Sequence, residues 1–182
     1  LSYKPSLLLS FWYNNEHFYA NKGQENKVIL EAKDNRYKFF KILRDQGWEN
    51  NKLKILQDKG LENYLNSFFT LPEYKNQNPG EEEILFGLID WLKKNKPELE
   101  KRGFTIKQAL NEKNYSLEEA QLQSDVVERE DWFDIKAWVK IGDYTFPFIH
   151  LKKYILQGIR LIQLSSGEYA VLHGGTAVMA PV

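Results

Sequence analysis

Between Phe133 and Ile141 every second side chain is apolar: Phe133, Ile135, Ala137, Val139 and Ile141. A two-residue period is that of a strand with one buried face, so these five are expected to fill a core. Asp134, Lys136 and Lys140 then fall on the opposite face together with Trp138, and Trp132 joins them at the strand entry. Gly142-Asp143 has the form of a two-residue hairpin turn, because glycine accepts the positive φ that a tight primed turn needs. Tyr144, Phe146 and Phe148 resume the alternation, and Pro147 marks an edge or a strand end. A short helix around Leu151 to Leu156 and a hairpin closing on Ser165-Ser166-Gly167 complete this half of the pattern.

Upstream, the apolar runs Ser6 to Tyr13 and His17 to Ala20 flank Asn14-Asn15-Glu16 and predict a hairpin, and Val28 to Leu30 predict a third short strand. Asn35 is suited to cap a helix that carries Tyr37, Phe40 and Leu43 on one face and stops at Gly47. Leu53 through Phe69 read as further helical pieces broken at Gly60, and residues 76–80 as a linker. Ile84, Leu85, Leu88, Ile89 and Leu92 recur at helical spacing, with an end expected near Asn95 because Pro97 restricts the residue before it. Ser116 to Glu119 has the form of a capping box, yet Leu122, Ser124 and Val126 alternate with polar neighbours, and a strand is expected there. The fold class that follows is α+β: antiparallel hairpins and small sheets, with helices packed on one side. Two modules are expected, a hairpin plus helical module over 1–75 and a helix plus hairpins over 81–172. Residues 173–182 show no periodicity and are expected to be dispensable for folding.

Composition narrows the function classes. A chain of 182 residues with 42% hydrophobic and 14% aromatic content has the makings of a folded globular protein. No run approaches the roughly 18 apolar residues of a membrane span, and Leu1 to Pro5 lack a signal-peptide pattern. With no cysteine there is neither disulfide nor thiolate chemistry, and a cytoplasmic location is expected. Twenty-five Lys and Arg balance 25 Asp and Glu, so the chain lacks the overall basic charge of a free-standing nucleic-acid binder. Locally, Lys93, Lys94, Lys96, Lys101, Arg102 and Lys107 outnumber Glu98 and Glu100. The solvated face of a helix is the favoured reading; the competing one is a DNA patch of Lys93, Lys94, Lys101 and Arg102.

Catalytic patterns are nearly absent. A phosphate loop requires Gly-Lys after spaced glycines, and no Gly-Lys pair occurs in the chain. The acidic metal-binding box that accompanies such a loop is also missing, so ATP hydrolysis by this chain is not expected. His17, His150 and His173 are too far apart for a local zinc motif. Asp125, Glu128, Glu130, Asp131 and Asp134 would be the carboxylates of a metal-dependent nuclease, but Arg129 interrupts them and alternation sends neighbours to opposite faces. A solvated acidic strand entry is the preferred reading, and neither metal nor cofactor is expected. Trp132 and Trp138 suit base stacking in principle, although aromatics in a hairpin more often serve a core or an interface.

The same stretch carries a resemblance. Asp131-Trp132-Phe133-Asp134 at the first strand, Gly142 at the turn and Pro147-Phe148 before the helix belong to it, as do Gly158-Ile159-Arg160 and the closing Leu164-Ser165-Ser166-Gly167-Glu168-Tyr169. Together they resemble the accessory domain that precedes the ATPase core in bacterial Swi/Snf-type helicases. A diffuse likeness extends upstream through Arg102-Gly103-Phe104 to about Lys4 and ends after Leu172; the residues beyond are foreign to the family. The resemblance implies a non-catalytic domain that docks on the motor lobes of its parent chain and meets DNA chiefly through them. The candidate interaction surface, read from the residues themselves, comprises Trp132, Trp138, Lys136, Lys140, Lys152, Lys153 and Arg160.

Overall fold

The computed structural model describes residues 4–20, 23, 26–76, 79–108, 113–129 and 132–172, with the backbone alone at 76, 127–129 and 132–134. The fold is α+β, with several small antiparallel sheets and, among the described residues, four helices. It divides into two compact units, Leu1–Leu88 and Ile89–Val182.

In the first unit, β1 (Leu7–Leu8) leads into the hairpin of β2 (Ser10–Tyr13) and β3 (Glu16–Tyr19), where Asn14 takes a φ of 55° in the turn. Next comes a longer hairpin of β4 (Asn26–Lys33) and β5 (Arg36–Leu43). The helix expected from Asn35 is therefore a strand. Asp34 and Asn35 both lie in the left-handed region, at φ 51° and 56°, the signature of a primed two-residue turn, so Asn35 closes a hairpin rather than capping a helix.

The helix α1 (Gln46–Asp58) starts where Asp45 accepts the Trp48 N–H at 2.9 Å. It stops at Gly60, φ 86°, with Gly60 N–H donating to Gln57 O and Leu61 N–H to Leu56 O, the paired bonds of a glycine-terminated helix. The expected break at Gly60 is present, but the helical pieces beyond it are not. Instead β6 (Glu62–Leu65) and β7 (Phe68–Thr70) form a hairpin whose turn holds Asn66 at φ 49°, and β7 also pairs with β1. A short α2 (Pro72–Asn76) follows; residues 77 and 78 of the expected linker lie outside the described residues. Phe11, Phe18, Ile55, Leu56, Leu61, Phe69 and Ile84 are buried in this unit.

The helix α3 (Glu81–Lys101) contains the division between the units and runs straight through Pro97. The end expected near Asn95 lies instead at Gly103, φ 82°, where Gly103 N–H bonds Glu100 O and Phe104 N–H bonds Leu99 O. Proline removes one backbone donor yet leaves the remaining ladder intact. Asn95 adds a side-chain bond to Trp91 O at 2.8 Å in the same turn region.

In the second unit, β8 (Ala120–Arg129), β9 (Trp132–Ile141) and β10 (Tyr144–Pro147) form an antiparallel sheet in the order β10-β9-β8, as the alternation requires. Gly142, φ 57°, makes the tight turn. Helix α4 (Phe148–Leu156) begins directly after Pro147, and β11 (Leu161–Gln163) pairs with β12 (Tyr169–Val171). Val139, Ile141, Leu151, Ile162, Leu164 and Ala170 are buried together, with Leu122, Phe146 and Phe148 packed against them. Of the expected core stripe Val139 and Ile141 take part, whereas Ile135 is 65% exposed; the side chain of Phe133 lies outside the described residues. Among the described residues β10 pairs with β9 from Trp138 to Ile141, and the earlier half of β9 pairs with β8.

Candidate functional site

On α3 the positions Asp90, Lys93, Lys94, Pro97 and Glu100 recur at three- and four-residue spacing and so share one face. That face borders the start of the edge strand β8, within the second unit. In the register of this sheet Leu122 lies opposite Val139 and Gln121 opposite Lys140, and successive residues face opposite ways. Two concavities result. One, about 360 Å³, has an apolar floor of Leu122, Val139, Phe148, Leu151 and Ile155 beneath Asp90, Lys93 and Glu119. The other is polar, lined by Lys93, Lys94, Lys96, Lys140, Glu100, Glu118, Glu119 and Gln121.

Lys93 and Glu119 belong to both. Burial pushes the Lys93 ammonium below its ordinary range, and the carboxylates of Asp90, Glu119 and Glu118 partly offset that shift. The arrangement suits binding: an apolar floor for a hydrophobic group and a mixed rim of lysines and glutamates for a charged partner. Among the described residues no group of three or more His, Asp or Glu side chains is arranged to hold a metal ion. Nor is any helix there long and apolar enough to cross a membrane.

The structure thus brings Lys93 and Lys94 of the candidate DNA patch together with Lys140 of the candidate interaction surface, and adds Lys96. Lys101 and Arg102 sit at the far end of α3, where Arg102 is ion-paired to Glu98 at 2.8 Å. On the face of β9 opposite the core, Lys136 and Lys140 are exposed and Trp138 between them is half-buried, opposite Gln123 and Pro147. Lys136 has Asp125 as its cross-strand neighbour, which leaves that carboxylate on a solvated strand face.

Lys152 and Lys153 are exposed on α4, with Lys153 Nζ 4.9 Å from the Tyr154 ring centroid. Arg160 is half-buried and serves the fold: its Nε donates to Leu172 O at 3.3 Å, and its own carbonyl accepts the Leu172 N–H. The His17 ring lies tilted against Trp12 at 5.2 Å and edge-on to Tyr19 at 5.1 Å between centroids, and His150 is exposed at the start of α4. Glu130, Asp131 and His173 lie outside the described residues, as do the side chains of Glu128, Trp132 and Asp134.

Sequence reasoning missed a buried polar cluster in the first unit. Arg44 Nε donates to Glu49 Oε1 at 2.8 Å, Tyr13 donates to the same oxygen at 2.6 Å, and the Tyr13 oxygen accepts the Asp45 N–H at 2.9 Å. The only sequence signal is Glu49 within a helix whose neighbours at Leu53 and Leu56 are apolar. Compared with known proteins, the chain matches no family model, no curated protein and no solved structure.

Proposed function

We propose that this chain is a non-catalytic accessory domain of a bacterial Swi/Snf-type DNA-dependent ATPase, docking on the motor lobes of its parent chain and meeting DNA chiefly through them. The observation that carries this reading is where the resembling residues fall. Gly142 at φ 57° turns β9 into β10, Pro147 immediately precedes α4, Gly158 at φ 68° follows it, and Gly167 at φ 87° turns the last hairpin. These are positions where backbone conformation restricts residue choice, so the likeness rests on structural constraints more than on general composition. The face of β9 bearing Lys136, Trp138 and Lys140, together with Lys152 and Lys153, is the docking surface in this reading, and the cytoplasm is its compartment.

ATP hydrolysis belongs to the motor, since this chain has no Gly-Lys pair with which to build a phosphate loop. The test is twofold. The source gene should encode a motor beyond the Leu172 codon, and the chain should retain that motor in a pull-down that Trp138→Ala weakens. A gene without a motor, or a motor that is not retained, overturns the reading. A different class of function, direct duplex binding through Lys93, Lys94 and Lys140, is separated by salt. Tight binding by the isolated chain that falls steeply with ionic strength and is lost in Lys93→Gln/Lys94→Gln favours it.

A further inference from the structure

The apolar cavity of the second unit is open on one side. Leu122, Val139, Phe148 and Leu151 on its floor are continuous with the core of that unit, yet Ile155, which lines the same space, is 50% exposed. At about 360 Å³ the cavity lies at the small end of the range for ligand sites, roughly 300 to 1,000 Å³. It suits one large apolar side chain with a compact head rather than an extended chain.

The polar groups at the mouth select that head. Among the described residues lining the cavity, Lys93 is the single cation and Asp90 and Glu119 are the two carboxylates. Asp90 and Lys93 are three residues apart on α3 and so lie side by side, while Glu119 immediately precedes β8. A ligand whose only charge is a carboxylate meets two like charges there. One whose only charge is an ammonium sets a second cation beside Lys93. A zwitterion answers both signs, its ammonium pairing with a carboxylate of the rim and its own carboxylate with Lys93. Lys93 gains from such a partner, since burial holds its ammonium below the ordinary range in spite of Asp90, Glu119 and Glu118.

We infer that this cavity binds a free α-amino acid with a large apolar side chain, the side chain on Leu122, Phe148 and Ile155 and the charged head between Lys93 and Glu119. The inference uses residues of the second unit only and does not depend on the accessory-domain reading, which motor retention tests separately. Saturation-transfer NMR on the full chain, with L-phenylalanine and L-leucine as probes, tests it. Both should bind saturably. Phenethylamine, which lacks the carboxylate, and hydrocinnamate, which lacks the ammonium, should each bind about tenfold more weakly than L-phenylalanine.

The variants assign the two ends of the head. Lys93→Met should weaken L-phenylalanine by about the same tenfold and leave phenethylamine no weaker. Glu119→Gln, at an exposed position where the fold tolerates it, should weaken L-phenylalanine and leave hydrocinnamate no weaker. Absence of saturable binding by either amino acid overturns the inference. So does equal binding of L-phenylalanine and its two analogues, which is apolar burial alone. Binding that neither Lys93→Met nor Glu119→Gln alters lies elsewhere on the chain and also overturns it.

Discussion

Arg44 and Glu49 form a two-point ion pair sealed from solvent, their side chains 4% and 2% exposed, in which Nε meets Oε1 at 2.8 Å and the second guanidinium nitrogen meets Oε2. Glu49 holds the Arg44 pKa above its ordinary value. Removing one partner of such a pair strands a buried charge, whereas replacing both by apolar groups is often neutral. Glu49→Ala should therefore cost about 3–5 kcal/mol in urea unfolding, and Arg44→Met/Glu49→Leu should cost less than that single change.

Tyr13 donates to the same carboxylate, and burial, reinforced by the Glu49 hydrogen bond, pushes its phenol up to about 12 from an ordinary value of 10.0. A folded-state value above the unfolded one contributes stability that is complete below pH 10 and is lost as pH rises towards 12. The unfolding free energy of wild type should fall across that window more steeply than that of Tyr13→Phe, measured by denaturant titration at several alkaline pH values.

Gly87 lies in α3, where alanine would ordinarily be better by about 1 kcal/mol. A Cβ there would stand 2.6 Å from Tyr74 Cε2 and 2.9 Å from Cζ. Overpacking of that kind costs about 1–3 kcal/mol, so Gly87→Ala should be net destabilising. Gly87→Ala/Tyr74→Leu should recover the loss, as read from urea midpoints.

The exposure of Ile135 reverses the expectation that the whole β9 stripe is core. Ile141, 1% exposed, should cost about 2–5 kcal/mol when cut to alanine. Ile135→Ala should stay within about 0.5 kcal/mol of wild type, with half-buried Trp138→Ala between the two. Equilibrium unfolding of the three variants decides their order.

Pro97 is exposed inside α3 and leaves the carbonyl four residues earlier without its ladder donor. Pro97→Ala should stabilise the chain by about 1–3 kcal/mol, visible as a higher thermal midpoint.

What the amino-acid order determined by itself is what short-range chemistry controls. The β9–β10 hairpin is legible because Gly142 sits between two alternating runs, and β2–β3 because Asn14-Asn15 does the same. Asp34-Asn35 shows where local rules conflict: asparagine caps helices and also takes left-handed turn positions. Only the eight cross-strand pairs from Asn26–Leu43 to Lys33–Arg36 decide for the turn. Likewise the apolar residues from Leu61 to Phe69 fit a helix as readily as two short strands, until pairing of β7 with β1 selects the strands. The candidate cleft lay beyond sequence reasoning because Lys93 and Lys140 are far apart in the chain. Their meeting depends on packing α3 beside the edge of β8, and burial then moves the Lys93 pKa. Tertiary structure also decided which end of the β9 stripe is core: alternation assigns a face, but only neighbours supplied by distant segments determine whether that face is covered.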